Sequence, residues 1–289
     1  MSLRFWAGRS TRALLRTSIS GVLCAALAVG LVAASAAPSS AINALTIDGS
    51  YTFNGNGWTG TITVSNSAGG YPAIAMDYDG RADEYLSGTW SSATGTLTIY
   101  RPLSGGASQS YTLYEGNHNP SSPVFGGYFT ESDTGTQRYG TYATDYLPLN
   151  VPRPPITPTG GVTMPLDAPT PGGQLPIFLR AYYIFDGNGW GGELLLWPGD
   201  PGYTGDQTQM YYNELGYWQL IDTYSWDPAT SSLTLVRPIG GGVTQTYTLY
   251  IGTHNATYPM LGGYFTQSDT PGRRFAAFAH YDFLAGHGG

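Results

Sequence analysis

The stretch "SYTLYEGNHNPSSPVFGGYFTESD" (110–133) is answered by "TYTLYIGTHNATYPMLGGYFTQSD" (246–269), with 15 of the 24 positions identical. Agreement of that kind within one chain marks an internal duplication. It extends outward. "YTFNGNGWTGTITV" (51–64) answers "YIFDGNGWGGELLL" (183–196) at an offset of 132, and "TLTIYRP" (96–102) answers "SLTLVRP" (232–238) at an offset of 136. Over 96–143, 25 of 48 positions match at the larger offset, so the second copy gains four residues between the equivalents of Val64 and Thr96. Each unit spans roughly 100 residues, the size of a small domain.

Inside each unit, short runs of alternating polarity recur every eight to twelve residues with turn chemistry between them, the pattern of hairpin-linked strands. In the first unit the expected strands are 45–53, 58–65, 72–79, 84–91, 95–101, 109–116, 124–131 and 138–146. In the second they are 177–186, 190–197, 207–213, 217–226, 231–237, 244–251, 260–267 and 273–282. Asn-Gly and Gly-Gly steps supply the positive φ angles that tight hairpins need. No sustained helical periodicity occurs, so the fold class is all-β. An open eight-stranded antiparallel sheet leaves two raw edges, which closure would pair. Two tandem antiparallel up-and-down eight-stranded β-barrels are therefore expected. A Greek-key sandwich is the alternative, and it needs a long crossover that no loop here supplies.

The flanking segments complete the expected layout: a signal peptide over 1–36, barrels over 37–146 and 177–289, and a linker over 147–176. Arg4, Arg9, Arg12 and Arg16 precede the apolar run 21–34, and Ala34-Ser35-Ala36 offers a cleavage site, which predicts secretion. The run is short for a membrane span. Residues 147–176 hold nine prolines in thirty positions, which bars them from a sheet interior and predicts a stiff, extended connection or a packed loop.

Composition removes several chemistries. The only cysteine, Cys24, lies in the signal segment, so the mature chain has no thiolate for a nucleophile or a zinc site. All 12 basic residues are arginines, four of them in that segment, which leaves eight against 19 acids and a net charge of −11. Such a surface repels nucleic acid and anionic membranes. No cofactor is implied.

The duplicated residues are the candidates for function, with folding needs as the competing explanation. Trp58/Trp190 and Trp90/Trp226 either fill a barrel or wall a ligand cavity. Tyr114/Tyr250 in "YTLY" and Tyr128/Tyr264 in "GGYF" line a pocket or pair across strands. These eight are the expected ligand-binding set. Glu115 and Ile251 occupy one position, which places it near a rim, since a charge and an isoleucine fit one buried role poorly. His118/His254 lack a second histidine at ligand spacing and read as loop residues bonded to their own turn. Asp133/Arg138 and Asp269/Arg274 flank the last hairpin and read as register-fixing pairs, while Arg101/Arg237 read as buried arginines closing a barrel end. "DYDGRADE" (77–84) only partly follows a calcium loop and reads as a solvated acidic hairpin, so no metal is assigned.

The strand series, the Gly49-Ser50-Tyr51 opening and endings such as "LSGTWS" and "FGGYFTESD" resemble the avidin and streptavidin barrel. "FNGNGWTG" with "SGTWSSATGTLTIYRP" and "RYGTYA" looks more closely like a family of small secreted bacterial β-proteins without a clear function. The resemblance implies a calycin-type barrel over about 200 residues. Tyr51 stands where a tryptophan is expected and Ala181-Tyr182-Tyr183 lacks the glycine, so biotin binding is not carried over. The expected function is a secreted, non-enzymatic binding protein with one glycan or small apolar ligand site per barrel. The alternative is a structural extracellular protein with packed barrels. An enzyme would need a convergent acid–base set, which the sequence does not show.

Overall fold

The computed structural model describes residues 46–78, 84–118, 123–145, 179, 181–196, 208–213, 215–216, 218–252, 254 and 259–281. The expected signal segment, the linker 147–176 and the acidic turn 79–83 lie outside those residues.

In the first unit eight strands form: β1 (Gly49–Gly55), β2 (Trp58–Ser65), β3 (Ala73–Tyr78), β4 (Glu84–Ser91), β5 (Thr96–Pro102), β6 (Ser108–Gly116), β7 (Val124–Glu131) and β8 (Tyr139–Thr144). Each is antiparallel to the next, and β8 pairs with β1, which closes the barrel. The first hairpin shows why the sequence forms it. Asn56 and Gly57 both have positive φ (56° and 93°), and Asn54 Oδ1 accepts the Gly57 amide at 3.0 Å. In β5, Leu97, Ile99 and Arg101 point inward while Thr96, Thr98 and Tyr100 point out, the period of two that a barrel wall requires. The interior is aromatic: Phe53, Tyr111, Phe125 and Phe129 are fully buried.

The second unit follows with β9 (Ala181–Gly187), β10 (Trp190–Leu196), β11 (Gln209–Tyr212), β12 (Trp218–Leu220), β13 (Thr223–Asp227), β14 (Ser232–Gly240), β15 (Val243–Gly252), β16 (Met260–Gln267) and β17 (Phe275–Tyr281). Here the expectation of a closed eight-stranded barrel is corrected. The sheet has nine strands, runs from β12 through β9 and β17 to β13, and curls into a half-barrel. The expected strand 217–226 is the one that breaks. In the first unit, Glu84–Leu86 pair with β3 and Ser87–Ser91 with β5, so β4 changes partner without interruption. In the second, β12 pairs only with β11 and β13 only with β14. Glu84 and Gln219 bond equivalent arginines, and Ser87 and Thr223 pair with equivalent strand residues, yet the second interval is one residue longer. That extra residue splits the strand. Ile221 and Asp222 cross the gap, with their amides on Thr208 O and Val236 O.

Candidate functional site

The two units sit back to back, with β6–β8 facing β15–β17. The contact is isologous, meaning the same patch of each unit meets its equivalent. Tyr142 stacks on Phe278, its own counterpart, with centroids 4.5 Å apart and planes 15° from parallel. Val124, Met260 and Ala276 join them in a small buried cluster separate from the two barrel cores.

Around that centre lie six of the eight expected ligand residues. Tyr114 meets Tyr264 edge-on at 4.8 Å, and Tyr128 meets Tyr250 at 4.8 Å. Arg274 donates to Tyr114 Oη at 2.6 Å and Arg138 to Tyr250 Oη at 2.8 Å, and each guanidinium also covers the second tyrosine of its pair. Burial is the first cause that pushes the Tyr114 and Tyr250 phenols up to about 12. These arginines turn to the other barrel's tyrosines, in place of the expected register pair with Asp133 and Asp269. Asp269 accepts instead from Gln267 Nε2.

Trp58 stacks on His254 at 3.5 Å, and Trp190 lies tilted against His118 at 3.8 Å. The histidine amides donate across the interface, His118 to Asn188 O and His254 to Asn56 O, both at 3.0 Å. The expectation that each histidine serves its own turn is corrected: each one grips the first hairpin of the opposite barrel. Gly116 and Gly252 make room for that hairpin, since a Cβ on them would lie 2.8 Å from Asn188 C and 2.9 Å from Asn56 C. The adjacent glycines of "GGYF" divide the labour. A Cβ on Gly127 or Gly263 would overlap the Thr112 or Thr248 carbonyl inside its own barrel, whereas one on Gly126 would strike Ala277 of the other at 2.6 Å.

The remaining pair, Trp90 and Trp226, lies in the two barrel cores at 6% and 8% exposure. Trp90 meets Phe125 edge-on, and its indole N–H has no hydrogen-bond partner among the described residues.

Glu115 and Ile251 are both buried, at 2% and 0%, so the rim placement is corrected too. The Glu115 charge acts on Arg273 of the second unit. Burial lowers that guanidinium's pKa and the Glu115 charge opposes the drop.

One end of the closed barrel, and the equivalent end of the curled second sheet, is capped by a buried arginine. Arg101 donates to both oxygens of Glu84 at 2.7 and 2.8 Å and to Gln109 at 3.1 Å, over the Tyr78 ring. Tyr111 Oη donates to the same Gln109 oxygen, and Gln109 Nε2 to Glu131. Every polar group named here has a partner, the condition for burying such a network.

Sequence reasoning missed Asn56, Asn188, Tyr142 and Phe278 as interface residues, although the repeated "GNGW" held the first two. No group of three or more His, Cys, Asp or Glu placed to hold a metal occurs among the described residues. No family model, curated protein or solved structure matches the chain.

Proposed function

We propose that this chain is a non-enzymatic extracellular scaffold: two barrels fused in one chain as a rigid internal pair whose outward surfaces do the contacting. One observation carries the reading. The repeated Tyr114/Tyr250, Tyr128/Tyr264, Trp58/Trp190, His118/His254 and Arg138/Arg274 are spent on one another across the pseudo-twofold, and pairing so extensive resembles an obligate interface more than a loose domain contact. The kinship proposed with avidin-type barrels concerns the barrel alone.

The test is calorimetry of the chain with Tyr142→Ala and Phe278→Ala together. Wild type is expected to melt in one transition. The double variant should lose about 3 kcal/mol or more for each truncated aromatic and separate into two transitions. Unchanged melting would sink the scaffold reading.

A second reading, a small ligand inside the first barrel, is favoured by the unpaired Trp90 indole N–H, because buried donors ordinarily find a partner. A thermal-shift screen with biotin and small apolar compounds separates the two. The scaffold reading expects no shift, and a shift abolished by Trp90→Phe would replace it with the binding reading.

A further inference from the structure

Away from the interface, the first barrel carries three exposed tyrosines. Tyr85 is 86% exposed, Tyr71 80% and Tyr100 50%. Their arrangement follows from register. Tyr85 begins the outward row of β4, and Ser87, two residues on, pairs with Tyr100 of β5, which sets the two tyrosines diagonally beside each other. Further along, Thr89 pairs with Thr98 and their hydroxyls hydrogen-bond. The Trp90 amide donates to Gly70 O, which brings Tyr71 to the far end of the same strand. The row from Tyr85 to Thr89 alone covers about 13 Å at strand rise. It reads tyrosine, serine, threonine, with a second tyrosine at its side and a third at its end.

Charge decides the partner. The chain is acidic, with a formal net charge of −7 and pI ≈ 4.9. Yet the outward positions of β4 and β5 hold only Tyr, Ser and Thr, with Pro102 at the strand end, because Glu84 turns inward to Arg101. Among the described residues the charged neighbours of this wall are acidic: Asp77 in the outward phase of β3, and Glu84, whose side chain is 37% exposed. A surface with flat aromatic faces, many hydroxyls and acidic neighbours complements a ligand with apolar ring faces, many hydroxyls and no negative charge. From this we infer that the β4–β5 wall of the first barrel binds a neutral polysaccharide. Sugar rings stack on Tyr85, Tyr100 and Tyr71, and the Ser87, Thr89 and Thr98 hydroxyls meet sugar hydroxyls. The second unit differs at the two paired positions: Leu220 stands at the position of Tyr85 and Val236 at that of Tyr100, although Trp218, two residues before Leu220, packs on Tyr211 at the edge of that sheet. The inference rests on the scaffold reading, in which outward surfaces do the contacting.

Affinity electrophoresis of the full chain tests it, with dextran, a soluble cellulose ether and soluble starch as neutral polymers and alginate as the anionic one. The expected result is retardation by at least one neutral polymer, insensitive to salt. Tyr85→Ala with Tyr100→Ala should weaken it by about tenfold or more, while Leu220→Ala with Val236→Ala should leave it unchanged. Circular dichroism of each variant should match wild type, since the replaced rings are exposed. Migration unaffected by every neutral polymer overturns the inference, as does retardation by alginate alone. Self-association of wild type that the tyrosine variant abolishes also overturns it, by assigning the wall to a second copy of the chain. None of these outcomes alters the calorimetric test of the scaffold, so the two fail separately.

Discussion

The arginine-capped ends of the two units differ in charge and agree in geometry. Arg101 is held by the Glu84 carboxylate in the first, and Arg237 by the Gln219 amide oxygen at 2.7 Å in the second. Glu131 in the first network is Gln267 in the second, each receiving the equivalent glutamine amide. Tyr78 bonds the Gly55 carbonyl, while Tyr212 turns its hydroxyl to Tyr247 at 2.7 Å. What both ends keep is one arginine, a glutamine accepting from it and from a tyrosine, and an aromatic ring under the guanidinium. Hydrogen-bond satisfaction caps this end of each unit, and opposite charge is an addition that one copy carries. The second copy also absorbs an extra residue in the strand nearest this end, where β12 gives way to β13, and Gln219 secures the gap by donating to Pro238 O.

The comparison can be broken most forcefully where the copies are identical. Gly127→Ala and Gly263→Ala each place a methyl against a neighbouring backbone carbonyl, and each should cost about 3 kcal/mol or more. Chemical denaturation checks both. A large cost in one barrel only would show that the curled sheet relaxes where the closed barrel does not.

An intermediate effect is expected from exchanging the acid and the amide. Glu84→Gln gives the first barrel the second's chemistry and should lose only about 1 kcal/mol, because the Glu84 side chain is 37% exposed and screened. Denaturation midpoints measure it. A loss near the roughly 3–5 kcal/mol of a broken buried ion pair would show that charge is needed after all.

The smallest signal is spectroscopic. Tyr114 and Tyr250 ionise at about 12 in the folded pair, above the ordinary phenol value of about 10, chiefly through burial. A raised folded pKa favours the neutral phenol, so this stabilisation is full below about pH 10 and is lost as pH rises toward 12. Ultraviolet titration of the Tyr142→Ala, Phe278→Ala variant should bring these two phenolates down toward 10 together, as the pseudo-twofold requires. Separate movement would show the two halves of the interface to be unequal.

Much of the fold is legible in the sequence alone. Period-two alternation and Asn-Gly turns are local, so fifteen of the sixteen expected strands recur with shifts of a few residues at their ends. The break at Ile221–Asp222 is not legible, because the length difference between the copies can be placed only within the interval from Val64 to Thr96. The candidate residues divide in the same way. That Trp58, Tyr114, Tyr128 and their counterparts matter follows from their repetition, but repetition cannot say what they face. Alternation assigns Tyr114 and Tyr128 to the outside of their strands, where solvent, a ligand and a second barrel look the same in sequence.

An all-β chain, a duplication, the strand order of each unit and a buried arginine in each follow from the residues themselves, because these depend on neighbours within a few positions or on the chemistry of one side chain. Three-dimensional packing was needed to show that the second sheet stops short of closure and that the twice-written phrase is an interface with its own copy. It also singles out Tyr71, Tyr85 and Tyr100 as left uncovered. Contacts such as Arg138 to Tyr250 join residues 112 positions apart, and nothing local in either copy constrains a partner at that separation.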